Sequence, residues 1–124
     1  MNKPDSYTLK LEDRGDYLYA MVSGELLTPQ IAKRYWDEIA DQSFELRQPK
    51  IMIEKDFAES VSVAEMLEMG TYLGGILATK KIAFLDRQGN TSINNFGQKI
   101  ALNRGVDMKI FDTVEDAEKW LTSS

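Results

Sequence analysis

Three short apolar runs constrain this chain most: KIMIE at 50–54, KIAFLD at 81–86 and DMKIF at 107–111. Each is too short for a core helix and is bounded by polar or turn residues, as a strand is. Between them the apolar residues recur at helical spacing, so each strand passes to the next through a helix. A strand–helix–strand crossover in one sheet returns the chain in the same direction, and such crossovers are right-handed. KIAFLD has few polar residues, which suits a strand covered on both faces. These segments therefore predict a mainly parallel sheet.

Two further strands precede them. TLKLED at 8–13 alternates, and YLYAMVSG at 17–24 is more apolar. Arg14-Gly15-Asp16 between them predicts a tight turn, so the pair forms a β-hairpin with the first strand antiparallel. Arg-Gly-Asp is also an adhesion tripeptide. In a chain whose N-terminus, MNKPDSYTLK, lacks the apolar stretch of a secretion signal, the hairpin explains it better.

The helices have start signals. Thr28 is placed to cap the first, with Pro29 at its first position. Ile31, Ala32, Tyr35, Trp36, Ile39 and Ala40 share one face, and Lys33, Arg34, Asp37, Glu38 and Asp41 the other. A second helix spans about Val63 to Leu77, with Ser62 and Glu65 forming a capping box. A third begins near Ser92, presents Ile93, Phe96, Gly97, Ile100 and Ala101, and ends at Gly105. A fourth starts at Thr113 and turns Val114, Ala117, Trp120 and Leu121 inward. The order is β-β-α-β-α-β-α-β-α: a single α/β domain over residues 1–124, with a five-stranded sheet and helices packed on it.

Composition excludes several functions. The chain of 124 residues has no cysteine and no histidine, which removes disulfides, thiolate and Ser–His catalysis, and imidazole metal sites. A net charge of −5 disfavours nucleic acid, whose phosphates demand a basic face. With 43% apolar and 28% charged residues the composition is that of an ordinary folded protein. No apolar run approaches the roughly 20 residues needed to cross a bilayer. The expectation is a cytoplasmic, non-enzymatic protein without a cofactor.

Two features could carry chemistry. Asp56, Asp86 and Asp112 fall at strand carboxyl ends, where ligands of such sheets bind. Three carboxylates together could hold Mg²⁺, but strand-end aspartates ordinarily serve turns and caps. A phosphoacceptor receiver would need paired acids after its first strand, where this chain has Gly24-Glu25-Leu26. The second helix is the other feature. Glu65, Glu68 and Thr71 make a narrow polar stripe among Met66, Leu67, Met69, Tyr72, Leu73, Ile76 and Leu77. A helix on one face of a sheet needs a narrower apolar arc. The surplus means either a second contact, with a partner or in a greasy pocket, or deeper burial than its neighbours have. Gly70 and Gly74, four apart, are expected to let this helix approach the sheet. No glycine-rich loop precedes a helix, so no phosphate cradle is present.

The element order, the Gly24-Glu25-Leu26-Leu27-Thr28 turn, and the ending Ile110-Phe111-Asp112 with Glu115-Asp116-Ala117-Glu118-Lys119-Trp120-Leu121 together resemble the SpoIIAA-like family, related to the STAS domains of anti-sigma-factor antagonists. The resemblance covers nearly the whole chain. It implies a regulatory module that binds a partner kinase through the loop after the third strand and the helix that follows. In that family a serine at the helix mouth, within an Asp-Ser-Ser/Thr-Gly-like motif, accepts a phosphate. The segment here, DFAESVSV at 56–63, does not spell that motif, and Ser62 is first a cap and only second a phosphorylation candidate. The partner or ligand surface expected from the resemblance and the apolar arc is Phe57, Ser60, Ser62, Met66, Met69, Tyr72 and Leu73. The family is also likened to lipid-binding CRAL-TRIO domains, which makes a small lipophilic ligand the alternative to a protein partner. A homodimer covering the apolar helix face is a further option.

Overall fold

The computed structural model describes residues 7–123. Its elements follow the expected order: β1 (Thr8–Asp13), β2 (Leu18–Leu26), α1 (Pro29–Glu45), β3 (Lys50–Glu59), α2 (Val63–Leu77), β4 (Lys81–Asp86), α3 (Thr91–Asn103), β5 (Asp107–Ile110) and α4 (Val114–Thr122). They build one five-stranded sheet in the order β1-β2-β3-β4-β5. β1 is antiparallel to β2, and every other pair is parallel.

Strand order that advances in one direction, with crossovers of one hand, sends every connecting helix to the same side of the sheet. The main core shows this. Ile31, Tyr35 and Ile39 of α1, Met66, Met69 and Leu73 of α2, and Ala101 of α3 pack with Val22, Ile53, Phe57, Ile82 and Phe84 of the sheet. α4 follows the last strand and covers the other face, where Ala117 and Leu121 meet Met52, Ala83 and Leu85. Lys81 Nζ donates to Trp120 O at 2.6 Å, placing a cation at the negative C-terminal end of α4. Val114, expected inside, is exposed.

Local signals fix the helix starts. Thr28 Oγ1 accepts from Ile31 N at 3.2 Å, with Pro29 in the first turn, as expected. Ser62 and Glu65 form the expected capping box. Among the described residues no helix is long and apolar enough to cross a membrane.

Two further expectations fail. β3 does not stop near Glu54 but continues to Glu59, because β2 itself runs to Leu26 and keeps offering backbone partners as far as Glu59. Gly70 and Gly74 do not face the sheet. A Cβ on Gly70 would lie 2.7 Å from Ile100 Cγ2, and one on Gly74 would lie 2.3 Å from Arg104 Cβ. Gly97 of α3 answers from the other side, where a Cβ would meet Met66 Sδ at 2.6 Å. The glycines are a close seam between α2 and α3.

Candidate functional site

The carboxyl ends of β3 and β4 lead into α2 and α3, so the site is built around these two helix mouths. Ser62 N donates to Glu65 Oε1 at 2.9 Å, and Ser62 Oγ accepts from Glu65 N at 3.2 Å. These reciprocal bonds satisfy two groups that the helix start would otherwise leave open. Ser62 itself is exposed. Ser60, two residues earlier, is half-buried, and its Oγ is buried without a hydrogen-bond partner.

The rest of the expected surface separates into three groups. Phe57 is buried in β3 and stacks on Tyr35 at 6.2 Å between ring centroids. Met66, Met69 and Leu73 are buried as well. All four therefore belong to the core and cannot present an exposed docking face. The surplus apolar arc of α2 is explained by its neighbours, since α1 flanks it on one side and the glycine seam brings α3 against the other. Tyr72 is half-buried and tied to α1, donating to Asp37 Oδ1 at 2.6 Å beside the Lys33–Glu68 pair at 2.6 Å.

What α2 does expose is Val63, at 61%, and Leu67, at 48%. Val63, Leu67, Gly70 and Gly74 recur at a spacing of three and four, so they form one stripe. Gly70 and Gly74 of this stripe meet α3, whereas Val63 and Leu67 are exposed. Before the helix start an open groove of about 480 Å³ is lined by Ser60 and Val61 and by the start of α3, from Asn90 to Ile93, and neither Val63 nor Leu67 lines it. The helical period assigns Leu67 to the apolar arc. Only the position of α3 shows which part of that arc stays uncovered.

Met66, Met69 and Leu73 also line a cavity of about 30 Å³ with Tyr35, Phe84 and Lys55. That volume takes one or two water molecules. Pockets that enclose small molecules are about 300–1,000 Å³, so this cavity has no room for a lipid chain.

The strand-end aspartates do not converge. Among the described residues no three carboxylates lie close enough to share a metal ion. Asp56 accepts from Gln88 Nε2 at 2.8 Å, and Asp112 is exposed. Asp86 lies 3.3 Å from Lys55 Nζ, and both side chains are only 2% exposed. Asn94 Nδ2 at 2.8 Å, Asn90 Nδ2 at 3.0 Å and Gln88 N at 2.9 Å also donate to its carboxylate. Burial pushes the Lys55 ammonium below its ordinary range, and the Asp86 charge offsets this in part. Burial alone would raise Asp86, but the Lys55 charge and the three donors outweigh it and hold the carboxyl below its usual value. Asn90 stands at the cap position of α3 yet makes no cap bond; its backbone is in the left-handed region rather than extended, and its Nδ2 donates to Asp86. Lys55 is the residue that sequence reasoning missed. Its signal was present: in IEKDF, Lys55 falls in phase with Ile53 and Phe57, on the helix-covered face.

No family model matches the sequence, and no curated protein matches it. Among solved structures, the crystal structure of an anti-sigma factor antagonist from Mycobacterium paratuberculosis aligns with a TM-score of 0.67 at 15% identity, over 99% of this chain and 100% of that one. At that identity the likeness establishes the fold, over nearly the whole chain, and no more.

Proposed function

We propose that this chain is a non-enzymatic regulatory module that binds a protein partner at the mouth of α2, through the 60–67 segment and the groove beside α3. The observation that carries this is the pair Val63 and Leu67, large apolar side chains one turn apart and about half exposed or more at the head of a rigidly capped helix. Large apolar side chains left exposed together on one helix favour a macromolecular contact. The likeness to an anti-sigma factor antagonist gives that contact a regulatory setting. Of the residues expected from the sequence, Ser60 and Ser62 belong at the margin of this surface, Tyr72 lies on the α1 side of α2 away from it, and Phe57, Met66, Met69 and Leu73 are buried in the core.

Ser62 in this proposal is a cap. A phosphate there would have Glu59 and Glu65 nearby, and like charge opposes it. The test is chemical cross-linking in the native host, comparing the wild-type protein with Val63→Asp/Leu67→Asp. Both positions are exposed, so the double variant should fold as well as the wild type and lose its cross-linked partner. A partner retained in full by the double variant would refute the assignment. Ser62→Asp should keep the partner. If it folds and loses it, Ser62 is a switch.

A further inference from the structure

The two edges of the sheet are treated differently. At the β5 edge, Asp107 N and Phe111 N donate to Lys80 O at 3.0 Å and Phe84 O at 2.9 Å, so Met108 and Ile110 turn their amides outward. Both are satisfied within the chain: Ile110 N donates to Gln98 Oε1 at 3.0 Å, and Met108 N to Val106 O at 3.0 Å. The donors of that edge are therefore closed. At the other edge, Arg14 N donates to Tyr17 O at 3.0 Å across the hairpin, and the register continues through Asp13↔Leu18 and Glu12↔Tyr19. Hydrogen-bonded and non-bonded pairs alternate along an antiparallel ladder. Glu12 and Lys10 therefore bond toward β2, while Leu9, Leu11 and Asp13 direct their N–H and C=O groups outward. Among the described residues none covers these groups as Gln98 covers Ile110. An uncovered edge is a template for another strand.

We propose that this edge pairs with a second copy of the chain, β1 against β1, antiparallel, with Leu11 opposite its twin. The charge pattern selects that register. Outward residues must face outward residues, so the two-fold axis passes through residue 10, 11 or 12. Centred on 10 it sets Lys10 against Lys10, and centred on 12 it sets Glu12 against Glu12. Centred on 11 it sets Lys10 against Glu12 twice over, in the non-bonded pairs where side chains approach most closely. Leu11 meets Leu11 and Leu9 meets Asp13 in the bonded pairs between them. Leu11, 37% exposed in the single chain, is then covered. The pairing uses residues 9–13 alone and continues the sheet across the axis.

Sedimentation equilibrium at low salt tests it, over a range of concentrations, with thermal melts to show that each variant folds. Wild type should show a concentration-dependent dimer. Lys10→Glu and Glu12→Lys each turn both attractive pairs into repulsive ones, and each should weaken the dimer about tenfold or more. The charge-swapped double variant Lys10→Glu/Glu12→Lys restores opposite charges and should recover it. A lysine on an edge strand can also be a guard against pairing, in which case Lys10→Glu would leave association unchanged or strengthen it. That result, a wild type monomeric at every concentration, or a double variant no better than the singles, would overturn the proposal. So would a β1 edge found paired with a different protein's strand while the chain itself stays monomeric.

Discussion

Ser62 and Thr79 bracket α2 and are opposite cases of fit between residue and backbone. Ser62 supplies the side-chain acceptor for Glu65 N at the helix start. Ser62→Ala should cost roughly 0.5–2 kcal/mol in chemical denaturation, and Ser62→Asp should be nearly neutral, since aspartate caps as well and its charge suits the positive helix end. Thr79 follows the helix with φ at 75°, a left-handed conformation that crowds a β-branched side chain. Its N–H donates to Gly105 O at 2.9 Å, which holds it there. Replacing it with glycine removes the crowding while making the unfolded chain more flexible, and the strain is the larger of the two effects. Thr79→Gly should stabilise the protein by about 1 kcal/mol, and a lower denaturation midpoint would show that the turn relieves the strain in another way.

At the scale of elements, the α2–α3 seam makes the glycines of one helix unequal. Gly70→Ala would place a methyl group 2.7 Å from Ile100 Cγ2. The two helices would have to separate, at a cost of roughly 1–3 kcal/mol. Gly75 lies on the same helix with nothing within 4 Å of its would-be Cβ. Gly75→Ala should therefore stabilise, by up to about 1 kcal/mol from helix propensity alone. Unfolding curves of the two variants should move in opposite directions, and equal shifts would mean that the seam is not close-packed. The sequence shows the glycines and their spacing. It cannot show that their partner is a helix rather than the sheet, because either surface benefits from a missing side chain.

For the whole molecule, the Lys55–Asp86 pair joins β3, β4 and α3 at one buried point. Asp86→Asn would leave a buried ammonium without its counter-charge and should cost about 3–5 kcal/mol. The pair also sets a pH dependence. The Asp86 carboxyl titrates below its ordinary value of 3.8, so its contribution is complete above that value and is lost as pH falls through the depressed one. Lys55 titrates below its ordinary 10.5, so from there down to its lowered value the unfolded chain binds more protons, and stability rises with pH across that window. Equilibrium unfolding measured at a series of pH values should show a steep acid limb in the wild type and a flatter one in Asp86→Asn. Identical acid limbs would show that other carboxylates govern acid unfolding.

The sequence by itself determined the order of elements, the direction of the strands and the helix starts, because each follows from interactions within a few residues: alternation, the helical period, and caps such as Thr28 and Ser62. It also excluded thiol and imidazole chemistry outright. Tertiary structure decided what depends on a neighbour. β3 reaches Glu59 because β2 runs beside it, and Phe57, Met66, Met69 and Leu73 turn inward because α1 and α3 enclose α2. Val63 and Leu67 are exposed although the helical period puts them on the apolar arc, and only the packed structure shows it. Lys55 meets Asp86 only because two strands distant in the chain lie side by side, where a charge out of water requires a partner.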